Sequence, residues 1–176
     1  MDILYDKEQI LYQIVDRLGK VPVNYTDRMA FMKDQNRDQK KWRAAGVLLP
    51  LHFKEHSHNK GPHEGEFVLQ LIKRSTAVSQ GGDISGPGGM LDPRLDVFLR
   101  SLLLHRIPPA FSGASRKLAM ARGKTEFTNI ALFFANALRE SWEEIRLSPL
   151  NVKFLGALPF QNLILLRKQF SRWWVW

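Results

Sequence analysis

Hydrophobic positions in the first forty residues recur with the spacing of amphipathic helices. Apolar side chains three and four residues apart between residues 10 and 18 predict a first helix, which Gly19 can end. Thr26 can cap a second helix, which runs into the charged stretch from Lys33 to Arg43. A charge run of this kind is typical of a solvated face, and a polynucleotide footprint is the alternative. We therefore predict an N-terminal helical segment over residues 1–41.

Two apolar stretches follow, over residues 44–53 and 66–73, and their pattern predicts strands. The polar loop between them, residues 54–65, would make them a hairpin in a mixed sheet. This loop contains His56, His58 and His63. Its Gly, Pro and Asn residues favour an exposed hairpin tip, and a zinc or nickel site is the alternative.

The segment from about residue 90 to 125 combines a helical pattern with a basic stretch. Apolar residues at helical spacing from Leu95 to Leu103 predict a helix, which Pro108 and Pro109 must end. The basic stretch over residues 112–124 contains Arg116 and Lys117. We expect it to be either a lid whose cations bind phosphate or a surface excursion.

A helix predicted to begin near residues 126–128 carries the most informative chemistry at its far end, residues 139–144. Because residues three and four apart are helical neighbours, Glu140 lies beside both Glu143 and Glu144. Three neighbouring carboxylates repel one another, and a divalent cation relieves that repulsion. The alternative is a solvated acidic face in which Arg139 pairs with Glu143. Trp142 follows the apolar stripe of this helix, so we expect it near the core.

The last part of the chain predicts further strands over residues 151–158 and 162–166. It then ends in several cations and the aromatic residues Phe170, Trp173, Trp174 and Trp176. This ending predicts a truncated or frame-shifted C-terminus, or a fold completed by a partner subunit. Exposed aromatic surface favours association, so we expect a homodimer or higher oligomer, and folding of the tail onto its own domain is the competing outcome.

Composition narrows the function classes. A chain of 176 residues has the size of a single domain, and the absence of cysteine excludes disulfides and thiolate metal sites. No apolar run is long enough to cross a membrane, and the N-terminus lacks the order of a signal peptide, so we predict a cytoplasmic protein. A formal net charge of +9 favours an anionic partner such as a nucleotide or a nucleic acid. The alternative is that the charge only keeps the protein soluble.

The stretch Gly86-Pro87-Gly88-Gly89 is a second motif, which lies upstream of the acidic helix. It follows an apolar run that ends in Lys73-Arg74-Ser75, and the helix is followed by residues 154–159, Phe-Leu-Gly-Ala-Leu-Pro. Together these features resemble the Nudix hydrolases over residues 42–160, most closely the coenzyme A pyrophosphatase branch. The resemblance implies an α/β fold, an α/β/α sandwich with a mixed sheet. The N-terminal helices would precede a Nudix-like domain over residues 42–176, with a helical insert before the acidic helix.

The resemblance also implies an activity. The chain would hydrolyse the pyrophosphate of a nucleoside diphosphate linked to another moiety, with Mg²⁺ or Mn²⁺ held by Glu140, Glu143 and Glu144 and by the carbonyl of Gly89. Arg139 would orient the glutamates, and Glu140 is one candidate for the general base. The residues expected to bind the substrate are Arg74, Gly88, Arg116 and Lys117.

Several positions depart from the family pattern. Thr125 and Ala131 stand where the pattern has Gly and Glu, and Arg146 replaces the glycine that ends the helix in a left-handed conformation. Ser141 occupies a position that is usually apolar. The metal-binding half of the pattern is intact, while its geometric half is altered. Metal binding is therefore better supported than efficient turnover. The rival functions are therefore a catalytically weak nucleotide-binding module and, less favoured, a basic nucleic-acid-binding domain.

Overall fold

The computed structural model describes residues 7–37, 44–55, 65–73, 82, 84–165 and 168–175, with no side-chain description for residues 35–37, 55, 161–165 and 168–175. The described helices are α1 (Lys7–Lys20), α2 (Tyr25–Arg37), α3 (Leu95–Leu104), α4 (Gly113–Met120) and α5 (Lys124–Ile145). The described strands are β1 (Ala44–Leu48), β2 (Leu51–Glu55), β3 (Gly65–Leu69), β4 (Ile72–Lys73), β5 (Ile84–Ser85), β6 (Gly88–Met90), β7 (Gln161–Leu165) and β8 (Lys168–Val175).

The first helix continues through Gly19, which sequence reasoning placed at its end. The glycine is needed for close packing, because a Cβ at this position would lie 2.6 Å from Cδ1 of Leu118 in α4. The second prediction of a helix boundary was also wrong, because α2 begins at Tyr25 and includes Thr26. The carboxylate of Glu126 in α5 instead accepts the first backbone N–H groups of α2.

The apolar stretch 44–53 divides at Leu49-Pro50 into two strands of different sheets. The predicted hairpin forms between β2 and β3, which pair antiparallel with Leu51 opposite Leu69. The carbonyl of Pro50 accepts the N–H of Gln70 at 2.9 Å and closes this hairpin at its open end. His56, His58 and His63 lie outside the described residues, so the proposed histidine metal site stays untested.

The main sheet has the strand order β6-β1-β8-β7 and is mixed, as predicted. Strand β1 pairs antiparallel with β6 and parallel with β8, while β7 and β8 are antiparallel. The tail of the chain is thus an inner strand of its own sheet. Folding of the tail onto its own domain was the competing outcome, and exposed aromatic surface that favours association was the expected one. The side chains of this tail are outside the description, and the homodimer stays a prediction.

Helix α5 is the centre of the helical layer. It packs on β1, β6 and β8, while α2, α3 and α4 pack on α5 and α1 packs on α4. Its buried face includes Ile130, Phe133, Phe134 and Leu138, which join Phe154 in the main hydrophobic core. The α/β class with a mixed sheet is therefore confirmed, and the two-sided sandwich expected from the resemblance stays a prediction.

The insert differs from its sequence prediction in one element. Helix α3 forms as predicted and ends at Leu104, before the prolines. The basic stretch expected to be a lid or a loop contains helix α4 instead. This helix is fixed by the core, since the hydroxyl of its buried Ser115 donates to the carbonyl of Phe154.

The segment after α5 also corrects a prediction, because residues 151–158 do not form a regular strand. A 3₁₀ turn over Pro149–Asn151 leads into extended chain with a single bridge residue, Ala157. The N–H of Phe154 donates to the carbonyl of Ala110 at 2.8 Å, so the connection between α3 and α4 takes the place of a strand partner. The following strand, β7, confirms the predicted strand over residues 162–165, and residue 166 lies outside the described residues.

Candidate metal site at the end of helix α5

The glycines that the sequence placed in a loop, Gly88 and Gly89, instead begin strand β6 and pack directly against the acidic end of α5. A Cβ at Gly88 would overlap the backbone of β1 at Gly46, so a side chain there would force the two strands apart. A Cβ at Gly89 would overlap the carboxylate of Glu140 and would displace that side chain. The tertiary structure thus brings the adjacent residues Gly88 and Gly89 to a third predicted site residue, Glu140, which is distant from them in sequence.

Glu140 is the most enclosed of the three glutamates, with 16% of its side chain exposed. Its Oε1 lies 2.8 Å from Nη2 of Arg139. Burial raises the pKa of Glu140 above its usual value, Arg139 lowers it, and Glu143 and Glu144 raise it. The pKa of Glu140 is therefore raised on balance, and a positive ion at this position would stabilise its charged form.

Glu143 and Glu144 extend from the same helix end into more exposed positions. Oε1 of Glu143, a residue with about half of its side chain exposed, lies 3.2 Å from Nη1 of Arg139. Oε2 of Glu144 accepts the backbone N–H of Gly88 at 2.9 Å. Glu144 therefore faces the start of β6, while Glu143 is held by Arg139.

The donor atoms suit Mg²⁺ or Mn²⁺, because both cations prefer carboxylate oxygens. The spacing between these carboxylate groups is less favourable for holding a cation. Among the described residues, no group of three His, Cys, Asp or Glu side chains lies close enough to hold a metal ion as arranged. Glu143 and Glu144 are exposed residues, so a rotation of their side chains toward Glu140 requires no repacking of the core.

Arg139 connects this surface site with the interior. Besides the glutamates, its Nε donates to Oδ1 of Asp96 at 2.8 Å and its Nη2 to the carbonyl of Met90 at 3.1 Å. These ion pairs, above all the one with Asp96, raise the pKa of Arg139 above its usual value. Arg139 is therefore permanently charged, and its guanidinium is fixed from both sides.

Asp96 and Asn136 complete a buried polar network that the sequence analysis missed. Both side chains are fully buried, and Nδ2 of Asn136 donates to Oδ2 of Asp96 at 3.0 Å. Oδ1 of Asn136 accepts the N–H of Gly46 at 2.6 Å, and Oδ2 of Asp96 accepts the N–H of Asp92 at 2.7 Å. The network joins α3, α5 and β1. In the sequence, the only signal of this network is that Asp96 and Asn136 are each a polar residue at a buried position of an otherwise apolar helical segment.

The predicted substrate-binding residues are only partly brought to this site. Gly88 belongs to it, while Arg74 lies outside the described residues. Arg116 lies on α4 with its guanidinium 5.2 Å from the ring centre of Phe127, and its Nη2 donates to the carbonyl of Leu104. Phe127 and Glu140 are about 20 Å apart along α5. Lys117 is exposed on the same short helix as Arg116, so neither cation is placed beside the carboxylates.

Trp142 corrects another expectation. It is 46% exposed and is not a member of the main hydrophobic core. Its ring lies 5.9 Å from the guanidinium carbon of Arg146. It also contributes to the wall of a groove between α3 and α5.

Comparisons with protein-family models, with curated proteins and with solved structures find no match to this chain. Within the described parts of the chain, no helix is both long and apolar enough to cross a membrane.

Proposed function

We propose that the chain is a metal-dependent, Nudix-type hydrolase that cleaves the pyrophosphate of a nucleoside diphosphate linked to another moiety. The substrate would be coenzyme A-like or a related nucleotide. The observation that carries this proposal is the contact of Gly88 and Gly89, at the start of β6, with the carboxylates of Glu140 and Glu144. Residues without side chains let phosphate approach the backbone, and the helix supplies the ligands for a cation next to it.

In this proposal Glu140, Glu143 and Glu144 would hold Mg²⁺ or Mn²⁺, with the Gly89 carbonyl as a further ligand. When bound, the ion would supply charge neutralisation and polarise the pyrophosphate. Arg139 positions Glu140 and Glu143, and Asp96 fixes Arg139 in turn. The backbone N–H of Gly88, which holds a carboxylate oxygen of Glu144, is equally suited to a phosphate oxygen.

The reaction consumes one water. Its oxygen bonds to one phosphorus while the bond from that phosphorus to the bridging oxygen breaks. The bridging oxygen leaves with the other phosphate, and the proton removed from the water is released. Glu140 in its charged form, which a bound cation would stabilise, is one candidate to accept that proton. The products are a nucleoside monophosphate and the phosphorylated remainder.

A hydrolysis screen tests the proposal. Coenzyme A, sugar nucleotides and dinucleoside polyphosphates are incubated with the protein and Mg²⁺ or Mn²⁺, and monophosphate products are quantified. We expect product with at least one substrate, dependence on the metal, and loss of product in Glu144→Gln. Glu66→Gln is the matched control, since it makes the same chemical change at an exposed position of β3. A folded protein that releases no product from any substrate contradicts the proposal.

A catalytically weak nucleotide-binding module is the second candidate. It is favoured by the pairing of both Glu140 and Glu143 with Arg139 and by the spacing of the carboxylates in the described residues. Tight nucleotide binding without turnover under Mn²⁺ identifies this function. A cytoplasmic location and a homodimer remain part of the proposal, and light scattering on the full chain tests the dimer.

A further inference from the structure

A concave apolar groove lies between α3 and α5 and has a volume of about 320 Å³. Its α3 wall consists mainly of leucines, including Leu95, Leu99 and Leu102, and its α5 wall includes Leu138 and Trp142. We name it the α3–α5 groove. Its size lies in the range of small-molecule sites, which are mostly apolar with a few polar groups at one side.

The charged residues of the α3–α5 groove are also members of the candidate metal site. Arg139 and Glu143 line the groove, and the same two side chains form the ion pair beside Glu140. The apolar surface therefore begins where the proposed cation and diphosphate would lie. A ligand could occupy both places without an intervening linker.

We propose that the α3–α5 groove binds an apolar hydrocarbon group that the substrate carries next to its diphosphate. This inference rests on the proposed function and specifies its substrate class, since the moiety linked to the diphosphate would contain a hydrocarbon portion. The volume corresponds to about ten water-sized groups, at roughly 30 Å³ each. A hydrocarbon of about ten carbons is therefore the scale of ligand that fits.

The polar groups in the wall exclude a sugar or a second charged group as the preferred occupant. Arg139 already binds Asp96, Glu140, Glu143 and the Met90 carbonyl, and Glu143 is paired with Arg139. A sugar hydroxyl placed against the leucines would lose its bonds to water without compensation. A hydrocarbon, in contrast, gains from removal of apolar surface from water on both sides.

A diphosphate-linked small molecule is a better occupant than a peptide helix. Arg139 and Glu143 belong both to the groove wall and to the carboxylate site. A ligand with a diphosphate therefore gains a second binding contribution there, which an apolar helix would lack.

Calorimetric titration with two probes tests the inference: geranyl diphosphate, with ten carbons, and inorganic pyrophosphate, with none. In the presence of Mn²⁺ we expect geranyl diphosphate to bind at least about tenfold more tightly than pyrophosphate, because only the first buries hydrocarbon. Leu95→Gln and Trp142→Ala should each reduce this preference severalfold and leave pyrophosphate binding unchanged. Both residues are substantially exposed, so the fold should tolerate the changes, and circular dichroism verifies this.

Phe98→Gln is the matched control, because Phe98 is an exposed apolar residue of α3 that does not line the groove. It should bind both probes as the parent does. Equal affinity for the two probes in the parent, or an undiminished preference in both groove variants, overturns the inference. Retention of geraniol in a ligand-observed NMR experiment, lost in Leu95→Gln, tests the groove without phosphate or metal. A chain that binds geraniol in this way but hydrolyses no diphosphate would remove the hydrolase proposal and leave the groove site standing.

Discussion

The two ends of helix α5 use the same residue types for different purposes. At the first end, Oε1 of Glu126 accepts the N–H of Tyr25 at 2.7 Å, and Oε2 accepts the N–H and the hydroxyl of Thr26. Both oxygens are thus satisfied by the start of α2. At the far end, Glu143 and Glu144 are exposed, and the described backbone donor for Glu144 is the single N–H of Gly88.

The arginines near the two ends differ in the same way. Nη2 of Arg122 donates to the carbonyls of Leu18 and Gly19 at 2.9 and 2.7 Å, so it satisfies the last turn of α1. Arg139 instead lies among carboxylates that outnumber it. A charged group whose partners are all in the fold stabilises structure, whereas an excess of one charge at the surface is available for a ligand.

The largest effect is expected from Asp96→Ala, which breaks the buried support of the far end. Loss of this carboxylate leaves Nε of Arg139, Nδ2 of Asn136 and the N–H of Asp92 without their buried acceptor, so we expect a loss of about 3–5 kcal/mol in the free energy of unfolding. Denaturant unfolding measures it. Asp16→Ala is the control, because its exposed pair with Lys20 contributes only about 0.3–0.5 kcal/mol. Equal losses in the two variants would show that the Asp96 network is not a principal support.

A smaller effect is expected at the other end from Glu126→Ala. Two backbone N–H groups and a hydroxyl lose their acceptor, which costs about 1–3 kcal/mol of unfolding free energy. Mn²⁺ affinity should remain at the parental value in calorimetry, because Glu126 lies far along the helix from Glu140. A decrease in Mn²⁺ affinity would mean that the two ends are coupled.

Neutralisation of a glutamate at the far end of α5 should have effects on Mn²⁺ affinity and stability that differ from those of Glu126→Ala. Glu143→Gln and Glu144→Gln should weaken Mn²⁺ binding. Without metal, Glu144→Gln should raise stability by a few tenths of a kcal/mol because repulsion with Glu140 is relieved, whereas in Glu143→Gln the loss of the ion pair with Arg139 offsets this gain. Calorimetry and thermal unfolding measure the two quantities on the same samples. Unchanged Mn²⁺ affinity in both variants would exclude these glutamates as ligands, and Glu66→Gln controls for the loss of one charge.

The smallest effect concerns the residue that ends α5. Arg146 has φ 56° and ψ 28°, the left-handed conformation expected where the family pattern has a helix-ending glycine. Release of this strain by Arg146→Gly is worth about 1 kcal/mol, but loss of the contact with Trp142 offsets roughly 0.5 kcal/mol or more. We therefore expect a net stabilisation below about 1 kcal/mol.

A double-mutant cycle with Trp142→Ala separates the two contributions, since Arg146→Gly should stabilise more when the ring is absent. A lower melting temperature for Arg146→Gly in both backgrounds would contradict the strain argument.

Features of the fold that depend on neighbours in sequence could be predicted. The helical spacing from Leu95 to Leu103, the apolar stripe of α5 and the left-handed end at Arg146 are local patterns, and the structure contains all three. The adjacency of the three glutamates follows in the same way from helical geometry. For the site, the sequence alone therefore determined which carboxylates share one end of a helix.

Features that depend on partners distant in sequence were decided by the tertiary structure. Thr26 lost its role as a cap because Glu126, a hundred residues away, satisfies the start of α2. The basic stretch became α4 because the core holds Ser115, and the tail became an inner strand because β1 offers it a free edge. Likewise only the fold could place Asp96 beneath Arg139. A local pattern fixes which face of an element is apolar, but the partner that satisfies each polar group is set by long-range packing.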